Sequence, residues 1–505
     1  MSNDLKDLIE DHAFIENQAL AENQALAENR APETDQPDNR QGWLAVTANS
    51  GAERQGWVAL SWNAATTSAT LVQIFIGALI TTVAGIRIAL AAGLLVTVVG
   101  AVLAWACGHV AWRSGLSSTA LFRHFAFGRK GSLVAILIFG YMIIGFLGIT
   151  NALLYTGILF TFHLQNSLWN ALVIYGAMTL AWIVLGAFAS RLTAALATVT
   201  LILFLAILAA VTGIALSALS HSGTDPFSLG SRLPAEGLAV LHIAGDSDKF
   251  IFCANLLMAS AGALALSFAD SGRKARRSRD IAISAVIGNV IINIVMVFVG
   301  GVILFAAAPG LAGFELTSGL ALPAETAAGP HAIVPAFIVL GRTIAALLLL
   351  LTQVRAQMLN TGCAALFIAN LFAIFPVLRW RPGWPGLVIL ANALAVFALS
   401  VRVLEQTVLW ATILGVQTAV FAAIIIIDYY IIRVLSPRSN PDTARAPASF
   451  NWAGVVTAIL GAIISHHALP TIFPLQFLTA IVICLILYPA LRLTIARPKS
   501  ATTGG

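Results

Sequence analysis

Charge is what this chain has least of: Asp, Glu, Lys and Arg make up 10% of its 505 residues, against roughly 25% in an average soluble domain. That shortage excludes an ordinary water-soluble fold. A hydrophobic content of 59% and a mean hydropathy of +0.90, with apolar runs of about 20 residues recurring along the chain, point to a polytopic helical membrane protein. Cysteine is scarce too. Cys107, Cys253, Cys363 and Cys484 lie in apolar runs without metal-ligand spacing, which excludes a disulfide framework, a zinc site and thiol redox chemistry. Acidic residues are missing at depth, since Asp270 and Asp428 fall at the ends of their runs. Without a carboxylate pair, a His cluster or an activated Ser inside the runs, neither catalysis nor a cofactor or metal is expected; His466 and His467 belong to the edge of a run.

The first 55 residues differ in kind. They are polar, carry the tandem repeat ENQALAENQALAEN (Glu16 to Asn29), lack the features of a cleaved signal, and read as a cytosolic, largely disordered tail. A transmembrane domain follows over 56–495, then a short tail, 496–505. Twelve spans are expected, near 58–84, 87–112, 132–157, 168–189, 193–218, 250–269, 281–307, 343–373, 385–401, 406–433, 451–468 and 473–494. The stretch His331 to Gly341 is apolar but too short to cross, and is expected to dip into the outer vestibule. With the amino terminus cytosolic, 22 of the 28 Lys and Arg lie on that side. Arg87, Arg232, Lys249, Arg342 and Arg402 lie on the other, so both termini are expected in the cytosol of a cell (inner) membrane protein. The cluster Arg273, Lys274, Arg276, Arg277 and Arg279 meets anionic lipid, and the net charge of +6 calls for no nucleic-acid partner. Asp270 and Arg273, three residues apart at the end of span 6, share a helix face and are candidate gate residues.

Arg355 is the twenty-eighth cation, and it lies halfway along an apolar segment. At 1.5 Å per residue it is roughly 15 Å from either end, beyond the reach of its own stem. A charge at that depth costs at least ~2.5–3.5 kcal/mol, which marks a functional residue. Gln353, Gln357 and Asn360 make its surroundings polar, and with no acid at its depth its charge must be met by carbonyls, water or solute. Span 1 contains SWNAATTSATLVQ (Ser61 to Gln73), with Asn63, Thr66 and Thr70 among its polar groups. These suit a broken helix lining a cavity, or alternatively hydroxyls bonded back to their own helix. Span 6 carries MASAGALALS (Met258 to Ser267) around Gly262, which suits either a discontinuous helix or tight packing.

Six stretches carry a family resemblance: RQGWVALSWNA (Arg54 to Ala64), SGLSSTALFRHFAFGRKGS (Ser114 to Ser132), FADSGRKAR (Phe268 to Arg276), ALFIANL (Ala365 to Leu371), IIIIDYYIIR (Ile424 to Arg433) and FNWAGVVTAILGAIISHHALP (Phe450 to Pro470). Together they resemble the nucleobase:cation symporter family, closest to its cytosine permease branch. The resemblance implies an all-α, LeuT-type 5+5 inverted repeat with two trailing helices. It also implies a cytosine-, purine- or related heterocycle substrate at mid-membrane, and a coupling cation. Site positions transfer unevenly. Phe146 stands where the family has a stacking Trp, Ile143 replaces a Gln that meets the base edge, and Ala261 takes the place of an aromatic in span 6. Gln357 replaces a base-binding Asn, flanked by Gln353 and Asn360. Arg355 and Ala356 replace a Thr pair that ligates Na⁺, and Thr66 and Thr70 align with the first-span residues that complete that ion site. The expected protein is therefore a secondary transporter binding its substrate through Phe146, Gln357, Asn360, Gln353, Asn63 and Gly262. In it Arg355, with Thr66 and Thr70, acts as a cation surrogate, and transport is H⁺-coupled or uncoupled. A transporter-like receptor that binds a heterocycle or an anionic analogue without moving it is the alternative.

Overall fold

Without water to bond to, each apolar run satisfies its own peptide groups as a helix. The computed structural model describes residues 54–187, 189–311, 329–374, 382–400, 404–433, 448–470 and 472–495; the amino-terminal repeat and the 496–505 tail lie outside them. Among the described residues, eight helices are long and apolar enough to cross a membrane, and the bent pair Trp57–Ser68 and Leu71–Ala84 makes a ninth. Those eight are spans 2 to 7, 10 and 12. Spans 8, 9 and 11 correspond to Ile333–Ile374, Trp384–Ser400 and Trp452–Ile463, the last continued by a wider turn to Ala468. The architecture is all-α, with a single isolated bridge, between Gln55 and Ala275, among the described residues.

Two interruptions shape the bundle. Span 1 bends by 65° between its halves, where Ala69 (φ −86°, ψ 84°) and Thr70 (φ −134°, ψ 160°) leave the helical region. At the start of span 8, Arg342 takes φ 57°, ψ −165°, a conformation that L residues rarely adopt. It separates the short helix of 333–341 from the membrane-length part of 343–374. That short helix and the 3₁₀ turn Pro330–Ala332 leading into it sit among spans 1, 3 and 7: Thr156 Oγ1 donates to the His331 carbonyl (3.2 Å), the His331 and Phe75 rings lie 6.0 Å apart, and Val339 packs on Gly310.

Span 6, by contrast, is one unbroken helix, Asp246–Gly272. Its small residues serve packing. A methyl on Gly262 would lie 2.0 Å from Thr418 Oγ1 of span 10, and one on Gly100 of span 2 would lie 2.9 Å from Ala261. The run around Gly262 thus brings span 6 onto its neighbours without opening its backbone ladder. Span 6 lies along spans 2 and 10, the second half of span 1 lies along span 7, and span 3 lies along span 8. Exchanging spans 1–5 with spans 6–10 turns the pairing of 6 with 2 into that of 1 with 7, as a 5+5 repeat requires. Spans 11 and 12 pack on each other and on span 10.

At the end of the bundle that holds Trp57, the connections are tied down. Gln55 N–H donates to the Lys274 carbonyl (2.7 Å) and Arg276 N–H to the Gln55 carbonyl (2.9 Å), so the last residues of the expected tail are clipped to the loop after span 6. Ser284 Oγ donates to the Trp57 carbonyl (3.2 Å) and Ser61 Oγ to Ser284 Oγ (3.2 Å). The loop 114–132 is anchored by Asn451, whose Nδ2 donates to the Ala126 carbonyl (2.7 Å). Beside it, buried Tyr488 donates to Asp428 Oδ1 (2.6 Å), and Arg492 lies 3.7 Å from the same carboxylate.

Candidate functional site

The bend in span 1 withdraws the Ala69 carbonyl from the helical ladder and leaves it in need of a donor. Arg355 of span 8 supplies one: its Nη2 donates to that carbonyl at 3.4 Å. Arg355 is 3% exposed, and its Nε and Nη1 have no protein partner. The break itself carries a further unpartnered group, the Oγ of fully buried Ser68. Thr66 and Thr70 are half-buried. Thr66 Oγ1 donates back to the Trp62 carbonyl (2.9 Å), the self-bonded arrangement of a membrane Ser or Thr, so its hydroxyl is engaged within the helix. Asn63, one turn before the break, is exposed and donates to Gln55 Oε1 (3.1 Å); this places it at the Trp57 end of the bundle, away from Arg355.

Two residues beyond Arg355, and so on the opposite face of span 8 at a level about 3 Å away, Gln357 is fully buried. Its Nε2 donates to Asn151 Oδ1 of span 3 (2.6 Å) and to the Leu147 carbonyl (3.4 Å), while its Oε1 accepts from Asn360 Nδ2 (3.3 Å). Asn151 Oδ1 also accepts from Trp182 Nε1 of span 4 (2.9 Å). Spans 3, 4 and 8 are thereby cross-linked by one amide network. With both N–H groups engaged, Gln357 in this conformation is a brace between helices and not a free amide for a base edge. Gln353 is buried, with Nε2 3.5 Å from Thr352 Oγ1 and Oε1 unpartnered.

Phe146 is half-buried, and its ring meets Trp410 of span 10 edge-on, centroids 5.0 Å apart at 84°. Trp410 approaches so closely because residue 145 is Gly: a methyl there would lie 2.2 Å from the indole nitrogen, which donates to the Tyr141 carbonyl (3.3 Å). The second aromatic beside Phe146 thus comes from span 10. Ala261 is packed into the seam with span 2 and Gly262 into the seam with span 10. Asp270 and Arg273 do not pair with each other. The Asp270 carboxylate accepts from Ser118 N–H (3.0 Å) and Ser118 Oγ (2.7 Å), holding the loop between spans 2 and 3, and Arg273 Nε is buried without a partner.

Sequence reasoning overlooked Asn151, Trp182, Trp410 and Ser118. Asn151 had a signal, an amide inside the 29-residue apolar helix Leu133–Thr161; the others owe their roles to which helices become neighbours. A separate cavity of about 450 Å³, lined by Arg87, Asp246 and Phe250 among others, opens between the starts of spans 2 and 6, and none of the expected site residues borders it.

No protein-family model and no curated protein matches the chain. Among solved structures it is similar to the inward-facing conformation of Mhp1, with TM-score 0.65 and 17% identity over 92% of this chain and 96% of that one. A Na⁺-coupled sialic acid symporter in a substrate-bound, outward-open state matches at TM-score 0.46 and 13% identity, over 86% and 94%. A manganese transporter of Eremococcus coleocola, in complex with an aromatic bis-isothiourea substituted compound, matches at 0.42 and 12%, over 92% and 97%. The chain therefore has the LeuT-type fold, that of an integral membrane protein.

Proposed function

We propose that this protein is a secondary transporter that carries a nucleobase-like, planar nitrogen heterocycle across the cytoplasmic membrane by alternating access, and that its transport is H⁺-coupled or uncoupled rather than Na⁺-coupled. The Mhp1-like fold supports the transport reading, and the six family-like stretches support the substrate class and the kinship with nucleobase:cation symporters. Both termini face the cytosol in this reading, because the basic residues favour the Trp57 end. The flat substrate lies against Phe146, whose ring Trp410 buttresses edge-on. Gln357, Asn151 and Asn360 position that surface by bracing span 3 against span 8, and Asp270 ties span 6 to the loop that must move with it.

The observation that carries the coupling claim is the guanidinium of Arg355 on the carbonyl freed by the break in span 1. A carbonyl at such a break is a natural cation ligand. Here an Arg side chain occupies it as a fixed positive charge, which repels a second cation at the same place. The test is uptake of labelled nucleobases and related heterocycles into proteoliposomes, with inward Na⁺, K⁺ or H⁺ gradients applied one at a time. Uptake insensitive to Na⁺ is expected. Stimulation of the wild type several-fold by Na⁺ alone would return Arg355 to a structural role, and binding without counterflow would identify a receptor.

A further inference from the structure

Arg355 also lacks an anion. Its single acceptor is a neutral peptide carbonyl, at a long 3.4 Å; it forms no ion pair with any described carboxylate, and Nε–H and both N–H groups of Nη1 point to no protein acceptor. A cation 97% removed from solvent with only a fraction of its donors met is among the most costly arrangements a membrane interior can hold. Two buried hydroxyls are unpartnered as well. Ser68 Oγ sits next to the Ala69 carbonyl, and Ser260 Oγ of span 6 is 2% exposed with no partner. Helical phase turns Ser260 toward span 1. It shares a face with Cys253, whose Sγ reaches the Ile80 carbonyl (3.9 Å), and with Leu264, which meets Gly288 beside Ala64. The break lies between those two contacts. The guanidinium bonded at the break, the hydroxyl of the residue just before Ala69 and a hydroxyl turned toward span 1 from span 6 supply donors and a single positive charge, a combination that favours an anion over a metal ion.

We propose that the break in span 1 is a binding site for one compact monovalent anion, held by Arg355 with Ser68 and Ser260. Its shared chemistry is that of a halide ion or of a carboxylate carried on the heterocycle. The inference rests on reading Arg355 as the fixed charge of the central site, but it concerns binding and does not require transport. A halide here would be a coupling or structural ion; a ring carboxylate would make the substrate an acidic heterocycle.

The full chain, purified in detergent in sodium gluconate at constant ionic strength, is followed by thermal unfolding while gluconate is exchanged for chloride, bromide or formate. A second series adds an uncharged nucleobase or its ring-carboxylated analogue. A saturable rise of the unfolding midpoint is expected with a small anion or with the carboxylated ring, because a ligand of the folded state stabilises it as the logarithm of its concentration over Kd. Arg355→Gln should weaken the apparent affinity at least tenfold. Should that variant fail to fold, Ser68→Ala and Ser260→Ala, which keep the guanidinium, should each weaken it several-fold. A response to halides identifies a free ion, and a response to the carboxylated ring alone identifies the substrate as its source. Midpoints that are equal in every anion and with both rings, or shifts of equal size in the wild type and all three variants, would overturn the proposal. Failure of uptake with the anion response intact would overturn the transport reading alone.

Discussion

Replacing Gln357 by Leu separates a brace from a substrate contact. The substitution keeps the volume almost unchanged, so a cavity penalty is small. It removes the 2.6 Å bond to Asn151, the 3.4 Å bond to the Leu147 carbonyl and the acceptor of Asn360. Interhelical hydrogen bonds in membranes average ~0.6 kcal/mol and reach ~1.7, and the short bond to Asn151 belongs near the upper figure. A loss of about 1–3 kcal/mol in the substrate-free protein follows. Asn151→Leu should cost a comparable amount, since it also strands the Trp182 indole N–H. The double variant should cost less than the sum, with a coupling of about 1 kcal/mol. The measurement is the unfolding free energy of all four proteins in mixed micelles, without ligand. If the substrate-free Gln357→Leu protein is as stable as wild type and only its ligand-induced stabilisation is lost, the brace is refuted and Gln357 returns to the substrate.

Other consequences follow from single contacts. Gly262→Ala forces a methyl to 2.0 Å from Thr418 Oγ1 and should destabilise by ~1–3 kcal/mol; Thr418→Ala, which removes that oxygen, should recover part of the loss in the same unfolding assay. Asp270→Asn weakens the charge-assisted bonds to Ser118 and should lower the initial uptake rate more than equilibrium ligand affinity, with Ser118→Ala reproducing part of the effect; equal losses in rate and affinity would point to a folding defect. Phe146→Ala removes an aromatic face worth about 1 kcal/mol beyond its area, so ligand affinity should fall roughly fivefold or more, and unchanged binding at wild-type stability would move the substrate elsewhere. Tyr488→Phe deletes the 2.6 Å bond to Asp428 and should cost ~1.5–3 kcal/mol of stability while leaving ligand affinity unchanged.

Composition and hydropathy were enough to read the membrane class and the positions of the spans, because a bilayer admits only helices of a length set by its thickness. The break in span 1 was foreshadowed by its crowded Ser, Thr and amide residues, and Arg355 by the cost of its depth. Which way each polar group turns was decided by tertiary structure. A helix apolar nearly all round has no inside face that its own periodicity can announce, so nothing local distinguishes Gln357, turned to span 3, from Arg355, turned to span 1 two residues earlier. The small residues around Gly262 suited a broken helix and a tight seam alike, and the approach of Thr418 made them a seam. Asn151, Trp410 and Ser118 acquired their roles only when spans 3, 8, 10 and 6 came together. A hydrogen-bond partner hundreds of positions away, as between Ala69 and Arg355, is chosen by how the helices pack and leaves no mark on either neighbourhood in the chain.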